Sequence, residues 1–583
     1  MNKRWLIKRT NPEYTHYLSK AASVSPLLAQ VLINRGIKTP GEVKDFLAPG
    51  VTGMTDPFGL PDMGAALDRI KTARKRNERI LIHGDYDTDG LTATAIMVHA
   101  LKSMGMDVHY FVPNRMTHGY GFNAPSVEIA RKHGATLIIT VDCGITAFEA
   151  SAAAREKGMD IIITDHHEPQ RKGGSRPAAH SAKPEGGEDF VLPDAVAVVN
   201  PKLNTRDSFH STLSGAGVAF KIVQAMALDS ALPLSGDDSL SLLDLAALGT
   251  LADVVPLTGE NRIIVGEGIK SLGDGRRPGI RSLMEVSGLK SRELRAGLLS
   301  FTVVPRINAS GRIGDAGDVI TLFLSDSDEE AVSIAESLDR TNAERQRIEE
   351  ETFQEALAQL RRKGYDATVV LSGKGWHAGV IGIVASRIME ECYRPTFIFT
   401  VEDGIAKGSA RSIPAFDLYE GLSSCGDLLL SFGGHRQAAG MKLRESDIAR
   451  FEEKMNAVAR AALGAEDFTP AIEIDTEVAL QGVNPSLVRE LSLLEPLGAG
   501  NPEPLLAARR LDVLNPRVVG KNHLKMKLKQ KALAIDAIGF DMGKFLEHLG
   551  PSAAVDAAFS PTINEWNGNR YLQLNLKAFR LSS

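Results

Sequence analysis

Between residues 79 and 167 the chain alternates short β-type apolar runs with helical segments. The strand candidates are RILIHGD, VHYFVP, TLIITVDCG and DIIITDHH, and segments such as LTATAIMVHALKSMG and APSVEIARKHG separate them. Strands alternating with helices of this length are typical of a parallel α/β sheet with helices on both faces. The sequence therefore predicts such a sheet, whose ligands bind beyond the carboxyl ends of its strands.

Three of these strand candidates end in acidic or imidazole side chains, which we expect to meet at one edge of the sheet. In chain order they are Asp85, Asp87, Asp89, Asp142, Asp165, His166 and His167. A single Asp after a strand is more often a helix cap or turn residue. In a cluster, however, the negative charges of the carboxylates repel one another. Such a cluster therefore favours the binding of divalent cations.

The spacing of Asp85, Asp87 and Asp89 also matches the first half of an EF-hand loop. That interpretation fails, because the twelfth position is Ile96 instead of a bidentate Glu and a β-type run precedes the acids.

Composition indicates an ordinary globular protein. Its 583 residues are 43% hydrophobic and 24% charged, which suits about three or four domains. The three cysteines are far apart and show no CxxC spacing, as expected in a reducing compartment. The sequence shows no signal-type apolar segment and no run of about 20 apolar residues. We expect a cytoplasmic protein without a membrane role.

Beyond the alternating region, five further segments carry specific expectations. Residues 1–70 are predicted to be a mostly helical lead-in, and residues 241–257 an apolar helix ending in Asp253. Residues 303–317 are predicted to be a phosphate-facing loop with Arg306 and Arg312. A charged helix is expected over residues 328–363, since helices polar on most faces commonly bridge domains. Gly-rich turns with Ser409, Arg411 and His435 suit an oxyanion.

The end of the chain is basic although the formal net charge of the whole is −5. From Arg509 to Ser583 there are twelve Lys and Arg against six Asp and Glu. In KNHLKMKLKQK, Lys525, Lys527 and Lys529 alternate with apolar residues, which predicts a strand with one basic face. The alternative is an edge strand on which lysines only prevent aggregation.

The motifs HGDYDTDG, VDCG, DHH and GTLADVVPL, in this order, resemble the DHH phosphoesterase superfamily. With PRINASGR, GWHAGVIGIVASRI, GSARS and GGHRQAAG the chain is similar to its bacterial single-strand-specific exonucleases. The resemblance implies a parallel-sheet DHH domain (71–327), a connecting helix (328–363), a smaller α/β DHH-associated domain (364–462) and a C-terminal OB-fold β-barrel (468–583).

The resemblance also implies a site for two divalent cations, Mn²⁺ or Mg²⁺. The expected metal ligands are Asp85, Asp87, Asp89, Asp142, His166 and Asp253. Asp142 would bridge the ions, and His167 would contact the scissile phosphate, so that Asp142, His166 and His167 form the catalytic set. Some relatives place a further metal-binding histidine at the position of His83. Cys143 stands where an Asn is familiar and is expected to point away from the metals.

Substrate contacts follow from the same resemblance. Arg115 and Tyr120 would contact a phosphate and a base, and Ser409 and Arg411 would read a 5′-phosphate and so set a 5′-to-3′ direction. The groove between the two domains would be lined by Arg306, Asn308, Arg312 and His435. Lys525 and Lys527, with Trp566, Arg570 and Tyr571, would track the strand, and the alternative for Trp566 is a position in the core. The role of the long polar loop 168–194 stays open.

Three functions remain in competition. The first is a metal-dependent exonuclease that degrades single-stranded DNA in recombination and repair, alongside a helicase and a single-strand-binding protein. The second is a phosphodiesterase of short oligonucleotides, cyclic dinucleotides or polyphosphate, with the same metal centre. The third is a non-catalytic DNA-binding relative, which the intact ligand positions disfavour. The interdomain groove and the basic C-terminal domain favour a long substrate.

Overall fold

The computed structural model describes residues 3–113, 121–172, 190–203, 211–290, 292–550, 553–566 and 569–582, without the side chain of Trp566. The chain divides into two compact units. One contains residues 12–342 and 489–503, and the other contains residues 1–11, 343–488 and 504–583. Among the described helices, none is both long and apolar enough to cross a bilayer. The domain bounds expected from the sequence stay predictions.

The N-terminal region is mostly helical, as predicted, but it begins with a strand. Its elements are β1 (Arg4–Ile7), α1 (Pro12–Ala22), α2 (Pro26–Asn34), α3 (Pro40–Leu47) and α4 (Met63–Lys75). Ser25 caps α2, and Thr39 with Glu42 forms a capping box on α3. These side chains satisfy backbone N–H groups that a helix start leaves without partners, which fixes where the two helices begin.

The predicted parallel sheet is present, and helices cover both of its faces. Its elements are β2 (Arg79–His83), α5 (Thr88–Ser103), β3 (Asp107–Phe111), α6 (Ala124–Lys132), β4 (Leu137–Val141), α7 (Phe148–Glu156), β5 (Asp160–Thr164) and β8 (Ala197–Val199). The strands pair in parallel in the order β3-β2-β4-β5-β8. Ile80 and Ile82 pack into one hydrophobic core, whereas Leu81 packs into the other. Burial on both faces explains the continuous apolar strands. A short antiparallel pair, β6 (Gln170–Arg171) and β7 (Phe190–Val191), precedes β8.

A helical region follows the sheet. It contains α8 (Gly215–Leu228), α9 (Gly236–Leu240), α10 (Leu243–Ala252), α11 (Gly259–Asp274), α12 (Pro278–Val286), α13 (Ala296–Ile313), α14 (Gly317–Leu324) and α15 (Asp328–Lys363). The apolar helix ending at Asp253 and the helix over 328–363 are confirmed. The loop predicted for residues 303–317 is wrong, since most of it lies in α13. Pro305 and the small residues after it are poor helix formers, but burial of Val303, Ile307 and Ser310 outweighs that propensity.

The second unit holds a five-stranded sheet with helices. Its elements are β9 (Val369–Lys374), α16 (Ile381–Cys392), β10 (Thr396–Glu402), β11 (Ile405–Arg411), α17 (Leu418–Ser424), β12 (Leu429–Gly434), β13 (Ala438–Arg444) and α18 (Ile448–Ala462). The order is β12-β13-β11-β10-β9. Ser409 and Arg411 lie on strand β11 and not in a Gly-rich turn, so that expectation is wrong for both. His435 alone of the three lies in a turn, between β12 and β13.

The C-terminal part forms a closed five-stranded barrel of the OB type. The elements after α18 are β14 (Ala471–Ile474), β15 (Thr476–Glu477), α19 (Pro485–Leu491), β16 (Leu506–Val519), β17 (His523–Gln530), β18 (Leu533–Gly539), β19 (Ala554–Trp566) and β20 (Asn569–Leu581). Pairing of β16 with β19 closes the order β16-β17-β18-β20-β19. The N-terminal strand β1 pairs in parallel with β14, and Arg580 lies over the Trp5 ring at 4.6 Å.

Candidate metal centre and substrate contacts

The sheet brings the acidic strand ends together because β2, β4 and β5 are direct neighbours. Potential ligand atoms lie within 4.8 Å of one another in three groups of described residues. These groups are Asp85, Asp87 and Asp142; Asp89, His166 and Asp253; and Asp142, His166 and His167. All six predicted metal ligands are therefore in one cluster, and Asp142 belongs to two of its groups.

The loop from β2 to α5 supplies the first three carboxylates. Asp87 caps α5, since one of its oxygens accepts a hydrogen bond from Gly90 N–H at 3.1 Å. Asp85 accepts one from Tyr86 N–H at 2.8 Å. Burial, and then the neighbouring Asp87 charge, raises the pKa of Asp85 to about 7. The carboxylates are thus held in place by the backbone at a cost that a cation would offset.

Asp89 lies in the first turn of α5 and faces the start of α8. It accepts hydrogen bonds from the N–H groups of Gly215 at 2.7 Å and Ala216 at 2.9 Å. Burial, and then the charge of Asp87, raises its pKa to about 7 in spite of these donors. The start of α8 was not identified from the sequence as part of the site. The small residues of SGAG at 214–217 were the signal in the sequence that could have indicated it.

Asp142 follows β4 at the centre of the cluster. Its backbone has a left-handed φ of 60°, an uncommon conformation that Asp tolerates better than most residues. Among the described residues, its buried Oδ1 accepts no hydrogen bond, and His166 Nε2 lies 3.1 Å away. Burial, and then Asp89 and Asp87, raises its pKa well above the ordinary value. A buried carboxylate oxygen without a donor suits a metal ligand.

His166 and Asp253 complete the ligand set. His166 Nε2 lies 3.6 Å from a carboxylate oxygen of Asp253 and 3.9 Å from one of Asp89. Burial, and then the charge of His167, lowers the pKa of His166 to about 3, which leaves a neutral imidazole able to ligate a metal. Asp253 reaches the cluster as the residue that ends α10. Burial, and then Asp89, raises its pKa to about 8.

His167 is held by Asp165. Its Nδ1 lies 2.7 Å from Asp165 Oδ1, and the second carboxylate oxygen of Asp165 accepts a hydrogen bond from Ile145 N–H at 2.9 Å. Burial opposes protonation of His167, but the hydrogen bond and charge of Asp165 outweigh it and raise the pKa of His167 to about 9. A protonated imidazole does not ligate a metal, and its charge suits a phosphate.

His83 and Cys143 lie outside the three groups. His83 Nε2 is 2.8 Å from Ser126 Oγ, and its Nδ1 is 3.5 Å from Cys143 Sγ. Both ring nitrogens therefore have protein partners. Burial lowers the pKa of His83 to about 4 and raises the pKa of Cys143 well above its ordinary value. The position of the Cys143 thiol, against His83, agrees with the expectation that it points away from the metals.

Helix α13 supports the loop between β2 and α5, residues 84–87, which we call the acidic loop. Asn308 Oδ1 accepts hydrogen bonds from Thr88 N–H at 3.0 Å and Thr88 Oγ at 2.8 Å. Arg306 donates to Asp339 at 2.8 Å and to the Thr302 carbonyl at 2.6 Å. Two residues predicted to contact substrate thus have strong contacts within the protein. Arg312 is half-buried near the end of the same helix. Their substrate contacts stay predictions.

Ser409 and Arg411 lie side by side at the start of α16. Arg411 donates to Ser409 Oγ at 3.2 Å and to the Ala410 carbonyl at 2.8 Å. A Cβ added at Gly382, in the first turn of α16, would lie 3.1 Å from both side chains. No described side chain caps the start of this helix. The first-turn N–H groups, an Arg and a hydroxyl therefore meet at one place, an arrangement that suits a phosphate group.

The remaining predicted contacts have different outcomes. On β17, Leu524, Met526 and Leu528 are buried and Lys527 is exposed, so the predicted alternation is confirmed. Lys525 and Lys529 are half-buried on the same face as Lys527. Arg115, Tyr120 and residues 173–189 of the polar loop lie outside the described residues, as does the Trp566 side chain.

Comparison with protein-family models defines the class. The model of the DHH family, N-terminal domain, matches residues 79–250, and the DHHA1 domain model matches residues 365–461. The parallel sheet and its acidic cluster therefore belong to a DHH phosphoesterase. The model of the RecJ OB domain matches residues 474–578, the region of the closed barrel.

Individual relatives define the family. The chain is 37% identical to the single-stranded-DNA-specific exonuclease RecJ of Bacillus subtilis over 98% of this chain and 70% of that protein. The crystal structure of Thermus thermophilus RecJ in complex with Mn²⁺ matches with a TM-score of 0.82 and 32% identity, over 99% of this chain and 80% of that one. The Mg²⁺ complex matches with 0.77 and 31%, over 99% and 78%. The chain belongs to the RecJ family, and its cofactors are Mn²⁺ or Mg²⁺.

Proposed function

We propose that the chain degrades single-stranded DNA from its 5′ end by metal-dependent hydrolysis of phosphodiester bonds. The observation that carries this proposal is the cluster around Asp142, in which five carboxylates and one neutral imidazole lie within ligand distance of one another in overlapping groups. Its relatives in Bacillus subtilis and Thermus thermophilus are named single-stranded-DNA-specific exonucleases. The family and the donor set support the same chemistry.

The ligands would divide into two sets that share Asp142. Asp85, Asp87 and Asp142, one of the close groups, would hold one cation. Asp89, His166 and Asp253, another close group, would hold the other cation together with Asp142, whose Oδ1 lies 3.1 Å from His166 Nε2. Carboxylate oxygens suit hard Mg²⁺, and an imidazole adds affinity for Mn²⁺. When bound, two such ions lower the pKa of a coordinated water and neutralise charge that develops on the phosphoryl group.

His167 would contribute a positive charge at the scissile phosphate. Asp165 fixes the imidazole through Nδ1, which leaves Nε2 to donate toward the substrate. Because its pKa is raised to about 9, His167 is protonated at neutral pH and can stabilise a non-bridging phosphate oxygen. Asp165 accepts backbone hydrogen bonds from His166 and His167 as well, so it orients both histidines.

The 5′-to-3′ direction would be set in the second unit. Ser409, Arg411 and the first turn of α16 offer a hydroxyl, a guanidinium and backbone N–H groups to one anion. A terminal 5′-phosphate has more charge than an internal phosphodiester, so these donors would favour a chain end over the middle of a strand. The exposed His435 lies in the β12–β13 turn of the same sheet and would be a further contact.

The barrel would bind the single strand. Lys525 and Lys527 present charge on the outer face of β17, and Tyr571 on β20 is 51% exposed. Lysines that contact the phosphates of the DNA backbone, together with an aromatic ring on which a base stacks, bind single strands without sequence preference. Arg115, Tyr120, Arg306 and Arg312 stay proposed contacts on the resemblance alone.

A role in recombination and repair follows from the family. In this role we expect two partners, a helicase and a single-strand-binding protein. An exonuclease restricted to single strands needs a strand freed from its complement, which a helicase would supply. A single-strand-binding protein would keep that strand open. The cytoplasm is the proposed location. Copurification with each partner and the location of a tagged protein in cells would test these points.

The second candidate is a phosphodiesterase of short oligonucleotides, cyclic dinucleotides or polyphosphate. It would use the same metal centre, so the metal ligands do not distinguish the two. The closed barrel with its lysine-bearing strand β17 favours the long substrate, because a dinucleotide needs no such surface.

A digestion experiment decides between the candidates. Single-stranded DNA labelled at its 3′ end, with and without a 5′-phosphate, is incubated in Mn²⁺ or Mg²⁺ with the wild type, Asp142→Ala and Arg411→Ala. We expect progressive shortening from the 5′ end by the wild type, none by Asp142→Ala, and loss of the preference for a 5′-phosphate in Arg411→Ala. Intact long strands beside cleaved dinucleotides or polyphosphate would contradict the exonuclease.

A further inference from the structure

Helix α13 has a phenylalanine that the fold leaves in solvent. Phe301 is 86% exposed, the highest value among the large hydrophobic side chains that the structure describes, whereas Phe58 is 47% exposed. A single exposed ring is common at protein surfaces, so the position of Phe301 relative to the metal centre is what indicates a function for it.

The face of α13 that presents Phe301 also faces the acidic loop. Residues 301 and 308 are seven positions apart, about two helical turns, and therefore point to nearly the same side. Asn308 on this side hydrogen-bonds to Thr88, which follows the metal ligand Asp87. A Cβ at Gly311 would lie 2.3 Å from the carbonyl oxygen of Tyr86, so the end of α13 touches the loop as well.

The distance along α13 from Phe301 to Asn308, which bonds to the residue after the metal ligand Asp87, follows from the helical rise. Seven residues correspond to about 10 Å along a helix. Stacked nucleotides are about 3.4 Å apart, so this distance spans about three of them. Pro305 lies between the two positions without interrupting α13, which continues to Ile313.

We propose that Phe301 is a stacking platform for a base of the single-stranded substrate, a few nucleotides from the scissile phosphate. This inference rests on the proposed function, since it names a substrate contact of the same site. Every base has an apolar π-face, so one phenyl ring accepts any sequence, which suits a nuclease that must proceed through all of them. Continuity with the acidic loop favours DNA over a partner protein as the occupant.

The first test compares substrates of different length. Steady-state kinetics in Mn²⁺ are measured with a 5′-phosphorylated dinucleotide and a 5′-phosphorylated 12-nucleotide strand, for the wild type, Phe301→Ala, Phe301→Leu and Phe301→Tyr. We expect Phe301→Ala to lower kcat/KM for the long strand about 5- to 150-fold, mostly through KM, because stacking contributes about 1–3 kcal/mol per base. The dinucleotide should be cleaved at the wild-type rate.

Two controls separate stacking from other causes. Phe58→Ala removes another exposed phenylalanine of the same unit and should leave both substrates unaffected. Phe301→Tyr keeps an aromatic ring and should retain the activity, whereas Phe301→Leu keeps only apolar surface and should resemble Phe301→Ala. Since Phe301 is exposed, these variants should melt at the wild-type temperature.

The second test locates the base. 2-Aminopurine is placed at each of the first six positions of the long strand, and its fluorescence is measured on binding to Asp142→Asn with and without Phe301→Ala. Quenching that disappears at one or two positions supports the platform. Equal losses on both substrates, a fully active Phe301→Leu or unchanged quenching everywhere would refute it. A wild type that cleaves neither substrate would refute the proposed function instead.

Discussion

The acidic cluster and the lysine strand β17 are both charged surfaces, but they differ in burial. Asp89 and Asp142 are 1% and 2% exposed, and their pKa values are raised because water cannot solvate their charges. Lys527 instead points into solvent from β17. Buried charges must find a partner in a fixed geometry, whereas exposed lysines interact with phosphates over a range of positions.

This difference assigns separate tasks to the two surfaces. The cluster is built for one chemical step and should tolerate no change of ligand. The lysine strand should contribute affinity in small, nearly additive increments that depend on salt. Substitutions in the two places should therefore differ in size and in the quantity that they change.

The comparison predicts the largest effect at the centre of the cluster. Asp142→Asn should lower kcat at least about 10³-fold. Removal of a single group that stabilises the transition state already lowers kcat about 10²- to 10³-fold. The affinity for a single strand, measured by fluorescence anisotropy, should change less than about 2-fold. The metal-free variant should also melt at a higher temperature than the metal-free wild type, since burial and the neighbouring carboxylates raise the pKa of Asp142, whereas Asn is neutral without taking up a proton on folding. A lower melting temperature would contradict the electrostatic account.

His167→Gln should lower kcat about 10²-fold, because the positive charge at the phosphate is lost. The pH dependence provides a sharper test. With a pKa of about 9, His167 loses its proton and the rate falls above about pH 9. Asp165→Asn removes the carboxylate that raises this pKa, so the alkaline fall in rate should move to lower pH. An unchanged profile in Asp165→Asn would exclude His167 as the titrating group.

Asn308→Ala tests the support of the acidic loop by α13. It leaves the N–H and Oγ of Thr88 without their acceptor, and we expect Mn²⁺ affinity to fall about 10-fold, as for other groups that orient metal ligands. Calorimetric titration of Mn²⁺ measures this without any substrate. Asn308→Asp keeps an acceptor at the same place and should retain more affinity than Asn308→Ala. Equal affinities in all three proteins would show that the bond has no role in the metal site.

The triple variant Lys525→Ala, Lys527→Ala and Lys529→Ala should weaken single-strand binding by about 10-fold at moderate salt. If all three contact phosphates, the slope of log K against log salt should decrease by about 2, at about 0.7 for each contact. Lys527→Ala alone should account for about a third of that change. Cleavage of a dinucleotide should be unaffected, and a loss there would show that the strand acts on the chemical step.

The smallest effect concerns stability without metal. Asp85, Asp89 and Asp253 have pKa values of about 7, 7 and 8 in the folded chain, above the ordinary value of 3.8. The folded state therefore binds more protons than the unfolded state between about pH 4 and 8, and stability falls as pH rises through that window. Protein treated with EDTA should melt a few degrees lower at pH 8 than at pH 5. Mn²⁺ should remove most of this difference, and a flat profile would contradict it.

The parallel sheet and the meeting of acids at its edge were predictable because both depend on local patterns, whereas the full ligand set, with Asp253 after α10, was expected from the resemblance. Apolar runs of strand length with helices between them fix the sheet, and acids directly after its strands must meet at one edge. The start of α8, which donates to Asp89, and the bond from Asn308 to Thr88 were not predictable. Each joins residues more than 120 positions apart, and no local pattern encodes such a pairing.

Local secondary-structure propensity gave a wrong prediction in two places. Residues 303–317 have the proline and small residues of a loop, but packing holds most of them in α13. Ser409 and Arg411 belong to the segment GSARS, which begins with a glycine, yet pairing with β10 and β13 makes them part of a strand. In both cases the neighbours that decide the conformation are distant in sequence, so tertiary contacts outweigh local preference.

By itself, the sequence determined the class of fold and the basic face of β17, because both depend on periodicity along the chain. The six metal ligands were expected from the ordered motifs that resemble the DHH superfamily. Only the tertiary structure decided which groups surround those ligands. It placed Asp142 Oδ1 in a buried position without a donor, tied His167 to Asp165, and joined β1 to β14 near the far end of the chain. These features depend on burial and on distances between remote segments, which follow from packing and not from local pattern.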